Sequence, residues 1–399
     1  MKLTFVSNYI NHHQMPLAGR LYEKLKDDYC FIQTMPMEKE RSDMGWAADV
    51  SKIPYVKCFY EEKEKCRKII MDSDVVIFGG VEDESYIEER LQAGKPVIRY
   101  SERIYREGQW KAISPRGLCK KYHDHIRYRK APVYLLCAGA YVASDFALIK
   151  AYPDKKYCFG YFPAFQEQDI EQLMEKKRRR REESGKIRLL FAARFLALKH
   201  PEYPVHLAKA LKEEGISFEL YMIGDGEEKT SVISEIEKWD LQDEVKLLGF
   251  LSPQEVRAQM EEADIFLFTS DYREGWGAVV NESMNSGCAL IAGHGIGAVP
   301  YLLKEGENGY VYRTGDEKEF IREGLRLAKD KEKIEKFGRE SYKRIAQEWN
   351  DTVAAERLYE LCEGIMEGKV VPPVSGPCSI APVIKPQKGY QYMKVKSSS

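Results

Sequence analysis

The chain has 399 residues, enough for two domains of ordinary size at ~100–200 residues each. Hydrophobic content of 44% without any uncharged apolar run near ~18 residues describes a soluble globular protein and excludes a membrane span. A net charge of −1, from 62 Lys and Arg against 63 Asp and Glu, argues against a dedicated nucleic-acid binder, and nine cysteines without CxxC spacing argue against a disulfide framework or structural zinc.

The amino-terminal stretch MKLTFVSNYINHH has one lysine, a short apolar run and no small-residue cleavage site, so no signal peptide is expected and the location predicted is cytoplasmic. LTFVS reads as a buried strand, followed by a helix over residues 16–25. Asn8, His12, His13 and Gln14 lie just past that strand, where polar loop residues of doubly wound folds face a cleft and contact substrate. Each histidine also has an ordinary structural reading, and the residues alone leave the two open. Further strands are read at YVKCFY, DVVIFGG, KPVIRYS and APVYLLCAG, alternating with charged helical stretches, which predicts a mostly parallel sheet with crossover helices. KPVIRYS ends on Ser101 and is followed by Glu102 and Arg103, of which Glu102 is a candidate cleft residue. Lys120, Lys121, His123, His125, Arg127, Arg129 and Lys130 make a basic, tyrosine-containing stretch, read as a solvated helix in preference to a peripheral contact with anionic lipid.

Residues 166–186 carry the run KKRRRR and are read as a charged linker with a solvated helix, joining domain 1–165 to domain 187–340. The second domain repeats the βα rhythm through IRLLFAAR, FELYMIG, VKLLGF, ADIFLFTS, CALIAG and NGYVY. Arg194 and Lys199 follow its first strand. Two cations beyond a strand's carboxyl end suit a diphosphate at a sheet's switch point, the alternative being two surface cations. Gly224, in MIGDGEE, and Gly249, in VKLLGF, mark tight turns after the next strands. A single helix is predicted over residues 341–368 from apolar residues at helical spacing, Ile345, Trp349, Val353, Leu358 and Leu361. From Lys369 to the end, PP, GP, AP and KP pairs predict an extended or flexible tail, residues 369–399.

The most informative stretch is residues 268–303, which reads strand, glycine-containing turn, helix, strand. Gly275 and Gly277 flank the helix start, where backbone amides and the positive end of the dipole can hold an anion. Glu274 and Glu282 stand eight positions apart and can accept hydrogen bonds from sugar hydroxyls. Across a continuous helix eight steps would separate them by about 12 Å, beyond the roughly 5–9.5 Å of a glycosidase carboxylate pair. That argument weakens a hydrolase reading without removing it, because Glu274 precedes the helix.

EGWG, then NES, then CALIAG resembles the signature of the large retaining glycosyltransferase family that includes sucrose synthase and many bacterial surface-polysaccharide transferases. Here tryptophan stands for the usual phenylalanine and Ser283 for the usual alanine. The resemblance implies the GT-B fold: α/β, two Rossmann-like doubly wound domains facing a cleft, with a final helix crossing back to the amino-terminal domain. It implies that Glu282 holds the donor ribose, that Glu274 contacts the donor sugar, and that the backbone from Gly275 through Trp276, Gly277, Ala278 and Val279 helps hold the donor. Arg194 and Lys199 would neutralise the donor diphosphate, although AR…KH here replaces the family's GR…KG. Gly224 and Gly249 would lie near the donor, and the histidine many members carry after a later amino-terminal strand has no counterpart in KPVIRYSERIY.

The expected function is transfer of a sugar, with retention, from a nucleoside diphosphate sugar to a sugar or lipid-linked hydroxyl acceptor in bacterial surface polysaccharide or glycolipid synthesis. No cofactor and no metal are expected, because a suitably placed aspartate metal motif is missing and two cations stand in its place. The rival readings are a nucleotide-sugar epimerase of the same architecture and a non-catalytic nucleotide-sugar-binding protein.

Overall fold

A computed structural model describes residues 1–37 and 49–396. The chain divides into two compact units, residues 1–164 with 348–384 and residues 165–347 with 385–399.

The first unit is built on seven strands: β1 (Leu3–Ser7), β2 (Tyr29–Gln33), β3 (Val56–Cys58), β4 (Val75–Gly79), β5 (Val97–Ser101), β6 (Val133–Ala138) and β7 (Lys156–Phe159). All pair in parallel, in the order β3-β2-β1-β4-β5-β6-β7. Every residue of β1 and β4 is buried, as expected of central parallel strands covered on both faces. The order reverses between β1 and β4, and the loop carrying Asn8 leaves the sheet there. Glycine is required beside it: a Cβ on Gly79 would stand 2.2 Å from the Tyr100 carbonyl oxygen. Gly80, at φ +74°, lies against Ser7 and Asn8. Strands β2 and β7 were not anticipated; β2 places Gln33 in its run, and β7 is short and opens on a lysine, so neither gives a clean apolar signal.

The second unit holds β8 (Ile187–Ala192), β9 (Phe218–Ile223), β10 (Val245–Gly249), β11 (Ile265–Phe268), β12 (Ala289–Gly293) and β13 (Gly309–Tyr312), the six strands expected. They are parallel in the order β10-β9-β8-β11-β12-β13, so this sheet's switch point lies between β8 and β11.

Three expectations need correction. The helix read over residues 341–368 is two helices, Lys331–Gln347 and Asp351–Met366. Asn350 starts the second, its side chain accepting from the Val353 amide at 2.9 Å, a standard N-cap that interrupts the apolar periodicity. That helix belongs to the first unit, packed on Met15–Leu25 with Arg20 Nε 2.9 Å from Asp351 Oδ2.

The proline-rich tail is held in place. The Cys378 amide donates to the Cys158 carbonyl and the Cys158 amide to the Ser379 carbonyl, each at 2.7 Å, and the Ala381 amide donates to the Lys156 carbonyl at 2.9 Å. The tail thereby covers the edge of β7, using the residues between its prolines as donors. Farther on, the helix Gly389–Lys396 lies in the second unit, where Lys394 Nζ pairs with Glu305 at 2.5 Å and Tyr390 reaches Glu319.

The run KKRRRR lies in the helix Ile170–Ser184, of which one stripe is internal. Leu173, Lys177 and Arg181 recur every four residues and are all buried. Lys177 Nζ donates to the carbonyls of Ala263 (2.6 Å), Ser286 (2.7 Å), Gly287 (3.1 Å) and Met260 (3.3 Å). These carbonyls end two helices, Pro253–Glu262 and Val279–Asn285, so one ammonium caps both negative dipole ends. Arg181 pairs with Asp264 at 2.6 Å and also with Glu335.

In the second unit, half-buried His206 bridges Glu317 through Nδ1 and Glu235 through Nε2, the latter at 2.9 Å. Burial alone would lower its pKa, but the two carboxylates outweigh burial and raise it. The charged imidazole is therefore favoured by folding, and its contribution is fully present below the ordinary value of ~6.5 and lost as pH rises through the raised value. His206→Gln is expected to flatten the pH dependence of the urea midpoint above ~6.5. An unchanged slope would show that the bridge does not couple to folding.

Candidate functional site

In the second unit, the loops leaving β8 and β11 meet at the switch point. The Asp271 amide donates to the Leu198 carbonyl at 2.9 Å, and Thr269 Oγ1 donates to the Lys199 carbonyl at 2.5 Å. These bonds bring the side chains of Lys199 and Glu274 into direct contact, 17% and 15% exposed, so the ammonium and carboxylate compensate each other. Arg194, in the same loop, is exposed and carries no ion pair among the described residues.

The glycines predicted near the donor shape this loop. Gly224, at φ +131°, packs so closely that a Cβ would lie 2.0 Å from the Ala193 carbonyl oxygen. Its amide donates to the Gly249 carbonyl at 2.8 Å, and Phe195 donates to Asp225 at 2.8 Å. The turns after β8, β9 and β10 are thus one backbone-to-backbone assembly that any side chain at Gly224 would push apart.

After β11, Glu274 and Gly275 lead into Trp276, which is 1% exposed and donates from Nε1 to Asn281 Oδ1 at 2.9 Å. Its ring is an internal anchor, so the tryptophan in EGWG offers a ligand its backbone only. Gly277, at φ +87°, is pressed against the Phe268 ring, where a Cβ would stand 2.5 Å away. The helix Val279–Asn285 follows, and the amides of Gly277 and Ala278 donate to no backbone carbonyl among the described residues. Those amides stand at the start of a helix dipole, a place suited to anionic oxygen.

Glu282 sits in the first turn of that helix, half-buried. Burial raises its pKa, and nearby Arg257 opposes the rise. Arg257 is a buried residue that sequence reading missed. Its Nη1 donates to the Glu282 carbonyl at 2.7 Å and its Nη2 to Asn285 Oδ1 at 2.5 Å. The available signal was its place three residues before Met260, on the buried stripe of Pro253–Glu262. Asp271 was missed as well; it binds Arg273 Nε and Nη2 at 2.9 and 2.6 Å, bracing the turn before Glu274.

The first unit contains a cavity of about 710 Å³ above its own switch point, lined by Asn8, His13, Gln14 and Glu102 together with Arg99 and Lys121. Four of the five expected residues therefore meet in one place. His12 does not line it; its ring centroid lies 3.8 Å from that of His13, the two planes tilted by 47°. Burial, reinforced by His12, lowers the His13 pKa to about 3, so that imidazole is neutral at physiological pH. Glu102 is held by the Tyr161 hydroxyl at 2.7 Å and by Arg106. Arg103 is buried against Asp145 at 3.2 Å and is structural.

Two doubly wound units of this kind define the GT-B class of fold. In fold the chain is similar to HepE of Anabaena in complex with UDP (TM-score 0.66, 14% identity, 91% of this chain and 100% of that one). It is likewise similar to the lipopolysaccharide outer core galactosyltransferase WaaB in its apo form (TM-score 0.67, 14% identity, 93% and 100%). Residues 174–344 match the family described as glycosyl transferases group 1. Among curated relatives it is 28% identical over 182 residues to the amylovoran biosynthesis glycosyltransferase AmsK of Erwinia amylovora, covering 44% of each chain. It is 25% identical over 268 residues to alpha-D-kanosaminyltransferase of Streptomyces kanamyceticus, covering 66% of this chain and 62% of that one. The match thus spans less than half the length of AmsK.

Proposed function

We propose that the protein is a retaining glycosyltransferase that moves a sugar from a nucleoside diphosphate sugar to a hydroxyl acceptor in the synthesis of a surface polysaccharide or glycolipid. The observation that carries this reading is the meeting of Lys199 and Glu274 at the switch point of the second sheet, with Arg194 in the same loop. A diphosphate bound there gains two cations and the amides of Gly277 and Ala278, while Glu274 is left to orient the sugar. The UDP in the HepE structure and the polysaccharide role in the name of AmsK support the same reading. In this proposal Glu282 accepts hydrogen bonds from the ribose, and the leaving phosphate takes the acceptor's proton on the face from which it departs, giving retention.

Incubation with a panel of nucleoside diphosphate sugars tests the proposal. Transfer or slow hydrolysis releases nucleotide, an epimerase changes the sugar only, and a binding module does neither. Because Arg194 and Lys199 can hold the leaving group, activity is expected to survive EDTA within about twofold. A loss restored by Mn²⁺ or Mg²⁺ would show that a cation shares that role.

A further inference from the structure

We propose that the cavity of the first unit takes an acidic sugar, one that carries a carboxylate or a phosphate, with Lys120 and Lys121 holding the anionic group. That this sugar is the acceptor rests on the glycosyltransferase reading. That it is anionic rests on the charges that line the cavity.

Most of the cations there are already matched. Arg99 Nη1 bonds both carboxylate oxygens of Glu84, at 2.5 and 2.6 Å. Arg103 pairs with Asp145 at 3.2 Å, and Arg106 pairs with Glu102. Lys120 and Lys121 also line the cavity, and neither makes an ion pair among the described residues. Both stand near the end of the helix Pro115–Asp124. At ~3.6 residues per turn, Lys120, Lys121 and Asp124 fall on one side of that helix, the side that lines the cavity.

Lys121 is half-buried, and burial lowers its pKa. Asp124 opposes that shift, Lys120 adds to it, and Glu84 and Glu82 oppose it more weakly. An ammonium drawn partly out of water without a contacting counter-ion carries a cost that an arriving carboxylate or phosphate removes. Arg99 Nε, buried in the lining of the same cavity, likewise has no hydrogen-bond acceptor. Glu82 and Asp124 line the cavity without an ion pair among the described residues, and a carboxylate accepts hydrogen bonds from sugar hydroxyls. A neutral sugar would satisfy these two carboxylates and leave both lysines unmatched, while a bare anion would do the reverse. An acidic sugar satisfies both sets. The cavity's volume of about 710 Å³ lies within the roughly 300–1,000 Å³ of small-molecule sites.

Calorimetric titration of the full chain with glucuronate, glucose 6-phosphate and methyl glucoside tests this, the first two distinguishing a carboxylate from a phosphate. At least one acidic sugar should bind about tenfold or more tightly than methyl glucoside, the effect of a charge-assisted contact. Lys120→Gln/Lys121→Gln should abolish that preference, and Lys120→Arg/Lys121→Arg should keep most of it. Thermal unfolding of the glutamine variant should match the wild type, because neither ammonium has an ion pair to lose. A large fall in its midpoint would show that the lysines are already satisfied within the fold and overturns the proposal. So does equal binding of methyl glucoside, failure of both acidic sugars to bind, or a preference undiminished in the glutamine variant. Inorganic phosphate binding as tightly as either acidic sugar overturns it too, since the sugar ring would then contribute nothing. UDP, GDP and ADP titrated into the wild type separate the two readings. Nucleotide binding without the acidic-sugar preference removes this site and leaves the transferase, and the preference without nucleotide binding does the opposite.

Discussion

Lys199→Ala is expected to lower turnover by about 10²–10³ at saturating donor, the cost of removing one well-placed electrostatic partner from a developing charge. The reasoning begins with its contact to Glu274. In the ligand-free protein the two charges compensate each other, so neither is stranded in a partly buried position. When a nucleoside diphosphate sugar binds, Lys199 can turn to the diphosphate, whose charge grows as the glycosidic bond breaks. The interaction therefore strengthens toward the transition state, the kind of contact that raises turnover instead of merely tightening binding. Arg194→Ala should act in the same direction, because its exposed guanidinium has no other partner among the described residues. Thermal unfolding separates mechanism from stability: the turnover loss must far exceed any loss of folded protein. Wild-type turnover from either variant would remove that residue from the proposed chemistry.

Lys177→Met is expected to destabilise the second unit by about 3–5 kcal/mol, since buried carbonyls left without a donor cost ~1–3 kcal/mol each. Four carbonyl oxygens converge on Lys177 Nζ, and methionine keeps the length while removing every hydrogen bond. The loss should appear as a lower urea midpoint. Nucleotide binding should suffer with it, because Ser286 and Gly287 anchor the far end of the helix that carries Glu282. Arg179→Met, two residues away, is the internal comparison: Arg179 is exposed and, among the described residues, pairs only with Glu175, so its change should stay within about 0.5 kcal/mol. Similar midpoints for the two variants would mean that the convergence on Lys177 does not hold the unit together.

The basic run also shows how far sequence patterns reach. Charge suggested a solvated face, yet Lys177 and Arg181 turn inward with Leu173 to meet buried carbonyls and Asp264. Nothing in the run itself distinguishes these two cations from their solvated neighbours, because the groups that pair with them come from other elements. All six strands of the second unit were legible, and β11, β12 and β13 most plainly, because they are apolar and buried throughout. In the first unit β2 and β7 were not, since one carries a buried glutamine and the other is four residues long at the sheet edge. The proline-rich tail misled for a related reason. Prolines do forbid regular pairing, but Cys378, Ser379 and Ala381 provide enough backbone groups to bind β7. At the candidate site, Lys199 and Glu274 were each singled out, 75 residues apart, but their contact depends on how two loops cross a sheet. Arg257 stayed hidden because its role is to hold a backbone carbonyl, which leaves no motif.

The most direct test of the nucleotide-sugar site is calorimetric titration with nucleoside diphosphates, UDP, GDP and ADP in turn, of the wild type, Glu282→Gln and Glu274→Gln. At least one nucleotide should bind the wild type, and Glu282→Gln should weaken that binding by about 1.5–3 kcal/mol, the worth of a charged acceptor on a hydroxyl. Glu274→Gln should leave it nearly intact while lowering turnover, since Glu274 is assigned to a sugar that the free nucleotide lacks. Equal weakening by both variants would contradict the division of roles, and failure of every nucleotide to bind the wild type would contradict the site itself.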